Sequence, residues 1–222
     1  MPVTGEKKGA ERGKKLHGFW EEHLRGTRSL EKIKKGFEES PLDFDPGLLK
    51  GLKSALLNRA MLNLAPRSWR SRVWPSVVYL EQEFSVSNLW RGFMDVVHHN
   101  TQDDTFHIHD HKFMSSKYYI PSEEVLSDDP QTVIYCKAII EFFGIDGVEM
   151  VYDYYGTKTI FWEPKKIFLT RDDIDEKWEN IQREALSVVS NYGLTSLLDT
   201  SPNWLACGDY GGCEFKPLCA GV

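Results

Sequence analysis

The stretch Thr105–Phe113 (TFHIHDHKF) constrains this chain more than any other. It reads as a buried-edge β-strand in which side chains alternate between two faces, so Asp110 and Lys112 share a face with apolar residues. The opposite face carries histidines: His107, His109 and His111. A carboxylate and an ammonium beside an apolar strip are costly to bury unless they pair or bind a ligand. The pattern therefore predicts a functional site at the end of this strand.

A second carboxylate, Asp95, lies in the preceding strand pattern Arg91–Val97 (RGFMDVV). Two neighbouring strands that each deliver one carboxylate to the same end form a hard-oxygen site suited to Mg²⁺ or Mn²⁺. Lys112 beside that site can hold a phosphate or a hydroxide. Together these groups indicate metal-assisted phosphodiester hydrolysis.

The abundance of histidine in this region also suggests zinc. The candidates are His98, His99, His107, His109 and His111. Alternate residues of one strand rarely complete a tetrahedral site by themselves, however. The pattern favours a strand surface that is covered by a helix or faces DNA.

Composition is that of a soluble globular protein, with 222 residues, 41% hydrophobic and 27% charged. The net charge of −6 does not indicate nucleic-acid binding, although only a local patch needs to be basic. No apolar run approaches the ~20 residues of a membrane span, and the N-terminus lacks an apolar signal core. We therefore expect a cytoplasmic protein with no membrane partner.

Two basic segments have alternative interpretations. The N-terminal lysines and arginines between Lys7 and Lys35 alternate with glutamates, so they form either a nucleic-acid contact or a solvated helix face. Between Pro66 and Pro75, basic and aromatic residues that could follow a nucleic-acid backbone and stack on bases are Arg67, Trp69, Arg70 and Arg72. The alternative is a loop whose tryptophans anchor it to the core.

Hydrophobic periodicity predicts an α/β fold: a central mixed sheet of about five strands flanked by helices. The predicted helices cover residues 9–26, 48–60, 130–143 and 170–192. The predicted strands cover residues 77–86, 89–97, 105–113, 148–155 and 159–169, of which the first three form an antiparallel meander. We expect one domain over residues 1–222, with a helical part (1–65), a core (76–192) and a C-terminal Cys-rich hook (200–222).

The hook carries three evenly spaced cysteines, Cys207, Cys213 and Cys219. Such spacing suits a metal or cluster site in a reducing compartment better than a disulfide framework. Three cysteines are an incomplete set, because zinc and iron–sulfur sites usually take four protein ligands. Cys136, in a predicted helix, is either a small core residue or a further ligand.

The order of these motifs resembles the PD-(D/E)XK nucleases. The matching residues are His17, Gly92-Phe-Met-Asp95, Asp110-His-Lys112 and Gln131-Thr-Val-Ile-Tyr135. The resemblance is closest to the RecB-like and Cas4-like exonuclease branch, including its phage-encoded members, and the hook looks like that branch's iron–sulfur clasp. It spans nearly the whole chain and implies a restriction-endonuclease-like core.

The sequence departs from the branch in two ways. Asp110 stands where other members have Glu, and residues 1–16 lack the cysteine that usually precedes the histidine motif. The missing cysteine leaves three alternatives: another residue such as Cys136 completes the cluster, the cluster is lost, or packing alone holds the hook. A [4Fe-4S] cluster is thus one of several outcomes.

The resemblance implies a role for each matched residue. Asp95 and Asp110 would ligate Mg²⁺ or Mn²⁺, with the His17 imidazole and the His111 backbone carbonyl completing the protein's share. Lys112 would orient the attacking hydroxide and offset charge in the transition state.

Gln131 and Tyr135 would position the scissile strand or Lys112, and Glu81 or Glu83 could add a further carboxylate. We expect a metal-dependent DNA exonuclease acting on single strands or duplex ends, in recombination, repair or replication. Its partners would be DNA and recombination or replication proteins, in the host cytoplasm if the protein is phage-encoded. The alternative is a non-catalytic module on the same scaffold that binds DNA or a protein partner.

Overall fold

The computed structural model describes residues 4–39, 45–58, 76–87, 90–100 and 104–191. The helices are α1 (Thr4–Leu24), α2 (Leu30–Glu39), α3 (Pro46–Ala55), α4 (Glu123–Ser127), α5 (Pro130–Phe143) and α6 (Arg171–Asn191). The strands are β1 (Ser76–Val86), β2 (Trp90–Asn100), β3 (Thr105–Met114), β4 (Gly147–Gly156) and β5 (Trp162–Thr170). The chain divides into two compact units, residues 1–175 and 176–222. No helix in the described ranges is long and apolar enough to cross a membrane.

The five strands form one mixed sheet in the order β1-β2-β3-β4-β5, which confirms the predicted fold. The β1/β2, β2/β3 and β4/β5 pairs are antiparallel, whereas β3 and β4 are parallel. A parallel pair needs a crossover connection, and α4 and α5 lie within it. The description of β3 as an edge strand is wrong, because its parallel pairing with β4 makes it the central strand of the sheet.

Helix α5 has the predicted bounds because both of its ends carry local signals. Asp129 caps the start, accepting a hydrogen bond from Gln131 N at 2.7 Å, and Pro130 occupies the first turn. Gly144 ends the helix at φ 68°, a left-handed conformation that glycine adopts without strain. The helix contacts β1 and β4, which places its first turn beside the end of β3.

Helices α1, α2 and α3 share a hydrophobic core with the sheet. Its buried members are Leu16, Trp20, Leu24, Leu30, Ile33, Leu48, Leu52, Ala55, Val96 and Tyr155. The Trp20 ring stacks on His111 of β3 at 5.1 Å between centroids, so the histidine face of β3 is covered by α1. This is the covering by a helix that the histidine pattern favoured.

The sequence reading missed α2 and extended α3 too far. Leu30 and Ile33 are fully buried and, with Phe37, follow helical spacing, but charged neighbours obscure that narrow stripe. Helix α3 ends at Ala55 rather than continuing to residue 60, and Leu56 is its C-cap.

The start of α6 is capped by side chains of its own first turn. Asp173 accepts hydrogen bonds from the backbone and hydroxyl of Thr170 at 2.9 and 2.6 Å, and the Thr170 hydroxyl accepts one from Asp173 N at 3.3 Å. This reciprocal arrangement is a capping box, with Thr170 as the N-cap.

Candidate active site

The site forms where the ladder between β2 and β3 ends. Pairing of the two strands runs from Asn100–Thr105 to Val96–His109, and Asp95 and Asp110 come next on the two strands. The Asp95 carboxylate accepts a hydrogen bond from the His111 backbone N–H at 2.9 Å. The Asp95 side chain thus accepts the hydrogen bond that the backbone of β2 would otherwise accept from β3. The carboxylates of Asp95 and Asp110 therefore lie side by side where the β2–β3 pairing ends.

Helix α1 brings His17 to this point. Its Nδ1 lies 3.3 Å from Asp95 Oδ2, and its ring packs edge-on against Phe113 with centroids 5.6 Å apart. Burial alone would lower the pKa of His17, but the hydrogen bond and charge of Asp95 outweigh it and raise that pKa. Burial would raise the pKa of Asp95, and the contact with His17 lowers it instead. The two groups therefore stabilise each other as an ion pair.

Gln131 joins Asp110 and Lys112 from the first turn of α5. Its amide nitrogen donates to Asp110 Oδ1 at 2.8 Å, and its amide oxygen accepts from Lys112 Nζ at 3.1 Å. Lys112 Nζ also lies 2.8 Å from Asp110 Oδ2. The amide of Gln131 therefore orients the carboxylate and the ammonium together.

The charge on Asp110 is poorly compensated. Its side chain is 6% exposed, and Oδ2 makes the ion pair with Lys112 but no directional hydrogen bond among the described residues. Burial raises the pKa of Asp110, Asp95 raises it further, and the ammonium of Lys112 only partly opposes this. A buried carboxylate oxygen of this kind favours an additional cation.

The chemistry of the donors fits a divalent cation. Two carboxylates, one imidazole and a backbone carbonyl are ligands that Mg²⁺ and Mn²⁺ accept. They do not form a finished cage: among the described residues, no group of three His, Cys, Asp or Glu side chains is arranged to hold an ion. Asp95 and Asp110 instead bond to His17 and Lys112, respectively, so an entering cation has to compete with these contacts.

Tyr135 lies one turn after Gln131 on α5. Its hydroxyl donates to the backbone carbonyl of Phe93 at 2.9 Å, two residues before Asp95. Tyr135 therefore ties α5 to the strand that carries Asp95. The expected role on the scissile strand or Lys112 stays a prediction.

Only one of the two candidate glutamates lies at the site. Glu81 interrupts the β1–β2 pairing at the position opposite Asp95, with φ at 49°, and lines a cavity of about 720 Å³ with His17 and Asp95. Partial burial raises the pKa of Glu81, and the charge of Asp95 adds to that effect. Glu83 instead pairs with Arg91 at 3.1 Å.

The histidines of β3 have carboxylate neighbours on β4. His107 Nδ1 lies 2.9 Å from Glu149, and His109 Nδ1 lies 2.9 Å from Asp153. Burial lowers the pKa of His111 to about 4, even though the charge of Asp153 opposes this, so the ring is neutral. In the part of the chain that is described, these histidines are engaged by carboxylates rather than grouped around a zinc position.

Sequence reasoning missed Asp153. Its side chain is 1% exposed and accepts hydrogen bonds from Asn58 and Trp162 as well as His109. The available signal was a single aspartate inside the apolar strand 148–155. Asp153 connects the segment that follows α3, the central strand β3 and strand β5 behind the candidate site.

Several predicted residues lie outside the described ranges. They are Cys207, Cys213 and Cys219 of the hook and the basic–aromatic group Arg67, Trp69, Arg70 and Arg72. Cys136 is fully buried in α5, and burial raises the pKa of its thiol, as for a core residue. The described part of the N-terminal basic segment contains surface ion pairs such as Arg25–Glu21 and Lys34–Glu38, which suits a solvated helix face.

The comparison with known families agrees with this geometry. No curated protein matches the chain. Residues 4–220 match the model of the PD-(D/E)XK nuclease superfamily, and the five-stranded mixed sheet flanked by helices is consistent with the core of that family. A match over nearly the whole chain shows that this protein belongs to the PD-(D/E)XK nuclease superfamily.

Proposed function

We propose that this chain is a Mg²⁺- or Mn²⁺-dependent DNA exonuclease of the RecB-like and Cas4-like branch, acting on single strands or duplex ends. The family implies a nuclease in general, and its members typically use divalent metals. The observation that carries the proposal is the pair Asp95 and Asp110 at the end of two neighbouring strands, with Lys112 Nζ 2.8 Å from Asp110.

Four groups of this chain would hold the cation: the carboxylates of Asp95 and Asp110, the imidazole of His17 and the backbone carbonyl of His111. A bound divalent cation lowers the pKa of water and polarises a phosphate oxygen. The His17 side chain is one-third exposed and belongs to α1 rather than to the sheet, so its ring can move away from Asp95 without disturbing the strands. The two carboxylates are fixed by the sheet itself.

Lys112 supplies a positive charge where negative charge develops during hydrolysis. Its side chain is 40% exposed, so the ammonium can reach both solvent and a bound phosphate. A preorganised cation at that position stabilises the transition state more than the ground state. Gln131 keeps that ammonium in place by accepting its hydrogen bond at 3.1 Å.

A digestion assay tests the proposal. Labelled linear single-stranded and double-stranded DNA, circular DNA and end-blocked DNA are incubated with the protein and Mg²⁺ or Mn²⁺. We expect degradation of the open linear substrates, loss of activity in Asp110→Ala and Lys112→Ala, and full activity in the control Lys166→Ala. Lys166 is an exposed lysine that pairs with Glu149 away from the carboxylate pair.

Three other results of this assay would contradict parts of the proposal. Cleavage of circular and end-blocked DNA would contradict an exonuclease and leave an endonuclease. Tight DNA binding without cleavage under either cation would favour a non-catalytic binding module. Equal loss of activity in Lys166→Ala and Lys112→Ala would contradict the role given to Lys112.

We also propose that Cys207, Cys213 and Cys219 bind a [4Fe-4S] cluster or a zinc ion, on the basis of their spacing. A broad visible absorption band together with bound iron would support a cluster, and zinc by metal analysis would support a structural zinc site. Protein purified without either metal would contradict both forms of the proposal.

A further inference from the structure

A groove of about 290 Å³ lies between strands β1 and β2 and helix α5. Its walls include three aromatic residues, Phe84, Trp90 and Tyr135, and its rim carries Arg91. The Arg91 side chain is 79% exposed and pairs with Glu83 on the neighbouring strand. Flat rings beside a surface cation are typical of sites that bind nucleic-acid bases.

Glycine at position 92 allows the Phe84 ring to lie over β2. The two residues are paired in the β1–β2 register, and a Cβ on Gly92 would lie 3.0 Å from Phe84 Cε1. The Phe84 ring meets Tyr135 edge to face, with centroids 5.3 Å apart. Because the Tyr135 hydroxyl is bonded to the Phe93 carbonyl, the aromatic walls are held by the backbone of β2.

Gln131 connects this groove to the candidate active site. It lines the groove, and its amide contacts Asp110 at 2.8 Å and Lys112 at 3.1 Å. A ligand in the groove is therefore separated by one side chain from the carboxylate and ammonium at which a phosphate would be hydrolysed.

We propose that the groove binds one unpaired nucleobase of the DNA strand whose phosphate is placed beside Lys112. The inference rests on the proposed nuclease function and narrows its substrate to strands that present an unpaired nucleotide at the site. A base within a duplex has both faces covered by its stacking neighbours, so it must unstack before it can contact Phe84. Stacking on an aromatic ring accepts every base, so cleavage would show little sequence preference.

Binding of modified oligonucleotides tests this proposal without altering the protein. Single-stranded oligonucleotides are made with one abasic nucleotide at each position in turn, and affinity is measured by fluorescence anisotropy with Ca²⁺ in place of Mg²⁺. Loss of one base–aromatic contact lowers affinity by about 5- to 160-fold. We expect a loss of this size at one position and small changes at the others.

Protein variants connect that position to the groove. Phe84→Leu keeps an apolar side chain but removes the ring, so it should weaken binding of the intact oligonucleotide and abolish the penalty of the sensitive abasic position. The matched control Phe168→Leu removes the ring of a phenylalanine on β5 that is 65% exposed, and it should leave the profile unchanged. Circular dichroism establishes that each variant is folded.

Different results would contradict the base-binding groove and the proposed nuclease function. A flat abasic profile, or a profile that Phe84→Leu leaves unchanged, overturns the base-binding groove even if the wild type degrades DNA. If the wild type degrades no DNA under either cation, the proposed function fails. The abasic profile then still decides whether the groove binds a base.

Discussion

Asp153 allows a quantitative test of how the sheet is held behind the site. Its carboxylate is 1% exposed and accepts three hydrogen bonds, from Asn58 Nδ2 at 2.9 Å, His109 Nδ1 at 2.9 Å and Trp162 Nε1 at 2.8 Å. These donors come from the segment that follows α3, from β3 and from β5. Asp153→Ala would therefore remove the common acceptor of three separate elements.

The expected loss of stability follows from the three hydrogen bonds that Asp153 accepts. A hydrogen bond to a charged group contributes about 1.5–3 kcal/mol, and a buried donor without an acceptor adds a desolvation penalty. The three contacts share one carboxylate and are not additive, so we expect a decrease of about 5 kcal/mol in the free energy of unfolding. For a chain of this size, that corresponds to a decrease in Tm of about 10–20 °C.

Thermal and urea unfolding followed by far-UV circular dichroism measure this effect. The control is Asp146→Ala, because the Asp146 side chain is 99% exposed and its ion pair with Arg171 should contribute at most about 1 kcal/mol. A decrease of less than about 1 kcal/mol in Asp153→Ala would mean that the three donors find other partners, and Asp153 would then not be their essential acceptor.

The pH dependence of the same variant has a definite sign. Burial alone would raise the pKa of Asp153, but the hydrogen bond and charge of His109 outweigh it, so its pKa lies below the ordinary 3.8. The stabilisation by Asp153 is therefore fully present above that ordinary value and is lost as pH falls through the lower native pKa. The stability difference between wild type and Asp153→Ala should accordingly shrink as the solution becomes strongly acidic.

Three further substitutions have definite expected outcomes. Asp110→Asn should reduce single-turnover DNA cleavage by about a thousandfold. It should also raise the Tm of the metal-free protein, because burial and Asp95 disfavour the charge on Asp110, and a lower Tm would contradict this. Glu81→Gln should weaken Mn²⁺ binding about two- to fivefold in calorimetry, whereas the matched variant Glu83→Gln should not. Equal effects of the two substitutions would mean that Glu81 does not act at the metal site. Gly156→Ala should lower the free energy of unfolding measured in urea by about 1–3 kcal/mol, since the added Cβ would collide with the backbone carbonyl oxygen of Thr159. An unchanged urea midpoint would count against the observed turn.

Local signals predicted the elements that position the site. Helix α5 was predicted with its observed bounds because Pro130 and Gly144 mark its ends, and the structure adds Asp129 as its N-cap. The alternation of β3 correctly placed Asp110 and Lys112 on one face and the histidines on the other. The meander then made Asp95 and Asp110 neighbours, which the register of the observed strands reproduces.

The features that were not predicted from the sequence depend mainly on contacts between distant residues and on local backbone geometry. The central position of β3 depends on its parallel register with β4, which places His111 opposite Asp153, and that register is set by the crossover through α5. Glu81, unlike Glu83, lies at the candidate site because the pairing of β1 breaks at Glu81, whose φ is 49°. No pattern in the sequence indicates this break. Helix α2 was missed because only Leu30 and Ile33 are buried in a highly charged segment.

The central claim is that the carboxylates of Asp95 and Asp110 bind one divalent cation beside Lys112. A crystal structure of the protein with Mn²⁺, analysed by anomalous scattering, tests this most directly. We expect one strong anomalous peak about 2.1 Å from an oxygen of each carboxylate, and no such peak in Asp110→Ala crystals. A strong Mn²⁺ peak elsewhere, for example among the histidines of β3, with none between the two carboxylates, would contradict it.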